Sequence, residues 1–64
     1  MNTNPITQLE QQEIQTYRSR VHFLEKDVWE EKDPQKRINL LIQLSSAVAS
    51  LLLLENNTLG READ

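Results

Sequence analysis

The sequence predicts an all-α protein: an antiparallel two-helix hairpin that assembles with copies of itself into a helical bundle, most simply a four-helix dimer. Three observations predict it. Apolar residues recur at intervals of three and four along two long segments, and neither segment alternates with period two. The one strong break between them is Asp33-Pro34. The second segment also carries more apolar surface than the first can cover. A chain of 64 residues buries only about 60% of its unfolded surface, so a lone core is marginal and a staple is needed. There is no cysteine, and one histidine, His22, is too few for a protein-only metal cage. Oligomerisation is the staple that remains.

Residues 1–6 read as a lead. Asn4-Pro5 and Asp33-Pro34 each pair a capping residue with proline at the first helical position, where proline loses no helical hydrogen bond. Thr7 and Glu10 also form a T-x-x-E capping box, so helix 1 can start at either place. It is expected over about residues 7–32, because Pro34 pushes the residue before it out of the helical region. Its stripe is Ile14, Tyr17, Val21, Leu24 and Val28, spaced 3, 4, 3, 4, with Ile6 on the same side. Leu9 lies off the stripe, Phe23 roughly opposite it and Trp29 on its flank. After a connection of one or two residues, helix 2 is expected over about 34–58. It should fray through Glu55–Gly60 and stop at Gly60 in a left-handed cap. The hairpin thus covers 7–59, and residues 60–64 form a mobile tail.

Helix 2 raises the main question, because Ile38 to Leu54 is free of charge. Leu40, Leu44, Ala47, Leu51 and Leu54 form one seam. Leu41, Val48 and Leu52 form a second beside it, and Ile38, Ile42, Ala49 and Leu53 continue the apolar surface. At ~100° per residue this arc spans about 260°, whereas a single partner helix needs about 100°. Helix 1 cannot cover it. The expected oligomer interface is therefore Leu40, Leu41, Leu44, Val48, Leu51, Leu52 and Leu54, with Leu44 and Leu51 central. A bilayer is the rival destination. It needs ~20 apolar residues; the uncharged run is shorter and holds Asn39, Gln43 and three serines. The charged helix 1 and the tight turn also favour a cytoplasmic protein with no membrane contact. The first residues carry no positive charge and no apolar run, so they do not read as a signal peptide.

No catalytic or nucleotide motif occurs, and no pair of acidic residues is set apart by apolar surroundings. The expectation is a non-enzyme without cofactor or metal. A net charge of −3 argues against a protein held to nucleic acid by bulk charge, which leaves nucleic acid a disfavoured partner. The chain itself is the expected partner, with room for a second protein. Arg18, His22, Glu25 and Trp29 follow one another at i, i+4, i+7 and i+11 along one edge of the helix 1 stripe. Such a strip has the composition of a binding hot spot, able to hold a partner, a phosphate or a flat ring. The plainer reading makes it an amphipathic border, in which Trp29 covers the core and Arg18 pairs with Glu25. Lys32, Lys36 and Arg37 cluster near the turn among Glu30, Glu31 and Asp33, a solvated turn of nearly balanced charge.

The stretch EIQTYRSRVHFLEKDVWEEKDPQKRINLLIQLSSAVASLLLLEN resembles the helical hairpin of small phage and mobile-element proteins, in which an acidic helix, a D-P/L-x-x-R turn and a Leu-rich helix follow one another. Some of these are similar to small terminase subunits, ring-forming proteins that handle DNA. A basic Asn/Gly-rich lead often precedes that hairpin. Residues 1–6 do not match it, and no functional residue is carried over. Three functional expectations follow: a scaffolding or interaction module that self-associates, a DNA-linked accessory protein of a mobile element, and an oligomer that sequesters a small ligand or nucleotide.

Overall fold

Thr7 accepts a hydrogen bond from the Glu10 backbone N–H at 3.1 Å, and its own N–H donates to Glu10 Oε1 at 3.1 Å. This is the capping box, and it settles the start of the first helix, α1 (Gln8–Glu30). A second helix, α2 (Pro34–Glu62), completes the fold. The computed structural model describes residues 7–62, and side chains for 7–60. The alternative start at Asn4-Pro5, the contribution of Ile6 and the last two residues of the tail lie outside the described residues. No strand occurs among those described.

The turn is longer than the one or two residues expected. It comprises Glu31, Lys32 and Asp33, so α1 stops two residues short of Lys32. Pro34 bars Asp33 from a helix, and a second device sets the length. Glu31 takes an extended backbone, and Arg37 reaches back to donate to the Glu31 carbonyl from Nε at 3.0 Å and Nη2 at 2.6 Å. α1 has no basic residue in its own last turn. A cation from α2 thus satisfies a carbonyl at the negative end of the α1 dipole. On the other side of the turn, Asp33 Oδ1 accepts from the Gln35 N–H at 3.0 Å, and the Asp33 carbonyl accepts the first helical bond from Arg37 N–H at 2.9 Å. Loss of that cap in Asp33→Ala is expected to cost about 0.5–2 kcal/mol, read as a lower denaturation midpoint at unchanged slope. An unmoved midpoint would contradict the cap.

The two helices lie side by side and antiparallel, and each presents one stripe to the other. On α1 the inward residues are Ile14, buried, and Tyr17, Val21, Leu24 and Val28, half-buried. On α2 they are Leu40, Leu44, Ala47, Leu51 and Leu54, with Ala47 the most enclosed at 4% exposure. The seam continues to Thr58, which is also buried and whose hydroxyl donates to the Leu54 carbonyl.

α2 therefore does not fray through Glu55–Gly60 or end at Gly60. It stays helical to Glu62, and no described glycine has positive φ. Glycine permits the left-handed cap without requiring it. The chain does not turn back at this point, and Thr58 two residues earlier is buried on the seam, so the helical ladder runs on. A Cβ at Gly60 would meet nothing within 4 Å. Gly60→Ala is accordingly expected to stabilise the chain by up to about 1 kcal/mol, through helix propensity. A left-handed cap would make the same change destabilising, so the sign of the shift in melting temperature decides between the two geometries.

The hairpin is a rod of 53 × 16 × 13 Å with a radius of gyration of 15.0 Å, against about 11 Å for a compact domain of this length. Two helices in a single layer have no interior. Among the described residues, Ile14 and Ala47 are the only buried hydrophobics.

Candidate functional site

The outer side of α2 is the feature that needs a function. Ile38, Leu41, Ile42, Val48, Leu52, Leu53 and Leu59 are between 46% and 65% exposed. At ~100° per residue, with Ala47 pointing at α1, these side chains and the small Ser45 and Ala49 fill an arc of about 140° on the far side of the helix. The polar residues Asn39, Gln43, Ser46 and Ser50 occupy one flank between this arc and the seam. A continuous apolar surface of this kind is unusual on a small rod that stands alone.

The residues expected at an oligomer interface thus divide into two sets. Leu40, Leu44, Leu51 and Leu54 are half-buried on the side facing α1, where they hold the hairpin together. Leu41, Val48 and Leu52 are exposed on the outer side. The spacing had shown two seams but not which of them α1 would occupy.

The four residues of the α1 strip differ in what they contact. Arg18, His22, Glu25 and Trp29 are all exposed, and Trp29 is 81% exposed, so it does not cover the core. Trp29 lies too far round the flank of α1 to reach the seam. Arg18 pairs with Glu55 on α2 rather than with Glu25: Nη2 donates to Oε1 at 2.6 Å and Nε to Oε2 at 3.1 Å. The fork geometry of the guanidinium is matched across the helices, where no neighbour on its own helix offers it. The His22 ring packs edge-on to Phe23, with centroids 5.6 Å apart. Arg20 sits over the Tyr17 ring at 5.2 Å.

The Arg18 hydrogen bond is the larger cause holding the Glu55 carboxyl below its ordinary pKa of 4.5, with the arginine's charge adding to it. The Arg18 pKa rises in return, through the same hydrogen bond and the charge of Glu55. A lowered carboxylate pKa contributes stability that is fully present above the unfolded value and lost as pH falls through the folded one. Arginine stays protonated throughout that range. Glu55→Gln is therefore expected to melt slightly below the wild type at neutral pH, with the gap closing as the pH drops below the ordinary carboxylate value. A gap that persists unchanged in acid would show that the pair is not its source. Both side chains are well exposed, so the effect is small.

At the open end of the hairpin, amide side chains of Gln8, Gln11, Gln12, Gln15 and Asn56 surround a shallow, open depression that also reaches Arg18 and Glu55. His22, Glu25 and Trp29 do not line it. Among the described residues no three His, Cys, Asp or Glu side chains come together. Compared with family models, curated proteins and solved structures, the chain matches none. By length and composition, Pro34–Gly60 also meets the requirement for crossing a membrane, although its uncharged core from Ile38 to Leu54 is only about 25 Å long at ~1.5 Å per residue.

Proposed function

We propose that this protein is a non-enzymatic, self-associating helical hairpin that serves as a scaffolding or interaction module. The observation that carries the reading is the exposed apolar outer arc of α2. Burial of such a surface is favourable by about 25 cal/mol per Å², and the apolar stripe of α1 is already spent on the seam. The apolar residues α1 leaves exposed, Leu9, Phe23 and Trp29, are scattered round the helix among charged neighbours such as Arg18, Glu25, Arg20 and Asp27. A second copy supplies a matching surface at no further requirement, since a two-fold contact is self-complementary.

The length and apolar character of Pro34–Gly60 favour a second reading, insertion of α2 into a bilayer. Insertion would expose the polar flank Asn39, Gln43, Ser46 and Ser50 to lipid, or strip α1 from its seam. Both cost free energy that self-association does not. The proposal is tested by melting the protein in detergent-free buffer at a series of concentrations. Self-association raises the melting temperature with concentration. A concentration-independent melt, together with flotation of the protein on neutral lipid vesicles, would replace the scaffold by the membrane reading. A DNA-linked role, as the phage-like hairpin suggests, would instead show as a gel shift that weakens steeply with salt.

A further inference from the structure

We infer that the second copy lies antiparallel along the outer arc, α2 against α2, with the two-fold axis near Ala49; this rests on the self-association proposed above. Ile38, Ser45, Leu52 and Leu59 repeat every seven residues and lie on the side of α2 opposite Ala47. They form one heptad position of the outer arc, flanked by Leu41, Ile42 and Val48, with Ser45 its single polar member. Ser45 and Ala49 at its middle let two backbones approach to the ~8 Å end of the usual range.

Orientation follows from charge and size. The charges that bound the uncharged run are engaged within each hairpin, Arg37 by the Glu31 carbonyl and Glu55 by Arg18. The helix dipoles remain: a parallel pair aligns them, and an antiparallel pair opposes them, which is favourable. It also places Ser45 across from Leu52 of the partner, and Ile38 across from Leu59 of the partner. Small thereby meets large at the centre of the seam, while Ile38 and Leu59 close its two ends, an arrangement that fills space without strain. In the parallel pair Ser45 would face Ser45 and leave a gap.

The single hairpin is also more open than a compact chain. The hairpin exposes 5113 Å², whereas a compact monomer of 7.5 kDa exposes about 4250 Å². The excess, roughly 860 Å², is close to the ~800 Å² that each partner contributes to a standard interface.

The absence of native cysteine makes disulfide trapping a clean test. Three variants are made, Ala49→Cys, Ile38→Cys and Leu59→Cys, and the mass of each is first measured reduced. On mild oxidation Ala49→Cys is expected to link to itself on the order of tenfold faster than Ile38→Cys, because a disulfide needs Cα atoms within about 7 Å. In the antiparallel pair the two copies of residue 38 stand about 32 Å apart along the axis at ~1.5 Å per residue. A mixture of Ile38→Cys and Leu59→Cys should give the mixed dimer. Rapid self-linking of Ile38→Cys would overturn the orientation and leave self-association standing. An oligomeric mass with neither the Ala49 link nor the mixed link would place the interface on another face and overturn the inference. A monomeric mass for the wild type and all three reduced variants would overturn self-association itself.

Discussion

Ala47→Asp is expected to unfold the chain at room temperature. Ala47 is the most enclosed described residue of α2, at 4% exposure, flanked on the same seam by half-buried Leu44 and Leu51. A carboxylate there loses its water without gaining a partner, at a penalty of several kcal/mol, or takes up a proton and still crowds the seam. A fold of this size has only about 3–5 kcal/mol to lose. Ser46→Asp is the control. It adds the same charge one position away, on the exposed polar flank, and should shift stability by no more than about 0.5 kcal/mol. Circular dichroism reads both. If the two variants melt together, α1 does not pack on the seam through Ala47.

Leu52→Glu is expected to separate association from the hairpin seam. Leu52 is 61% exposed in the single hairpin, and glutamate matches leucine in helix propensity. The isolated hairpin therefore has little reason to resent the change. In the antiparallel dimer the substitution occurs twice and places each carboxylate in a dry interface. The dissociation constant should rise by at least about 100-fold, equivalent to roughly 3 kcal/mol. The melting temperature of the variant should also lose its dependence on concentration. Sedimentation equilibrium measures the first and a melt series the second. A variant that associates as tightly as the wild type would exclude the outer arc as the interface.

The elements that one helix can specify alone were legible in the sequence. The Thr7–Glu10 box, the stripe from Ile14 to Val28 and the Asp33-Pro34 start of α2 each depend on residues of a single helix and its cap, with successive members about a turn apart or closer. What escaped depends on how the two helices register. Arg18 meets Glu55 only because a three-residue turn sets the offset, and that turn length depends in part on Arg37 reaching back to Glu31. Neither contact has a signal in local spacing. Thr58 was missed because a polar, β-branched residue after Asn56-Asn57 looks like a helix end. It lies on the inward seam all the same. The two seams of α2 were visible from periodicity. Which of them faces α1 was not, since both are leucine-rich, and the choice decides that Leu41, Val48 and Leu52 are left open while Leu40, Leu44, Leu51 and Leu54 are engaged.

The claim that the outer arc of α2 is covered by further copies of this chain is tested most directly by the mass of the wild type in detergent-free solution, measured by light scattering behind size exclusion. The account predicts a whole multiple of 7.5 kDa, two copies at the least, at micromolar concentration. A mass of one chain, in a sample that still melts sharply and cooperatively, would contradict it.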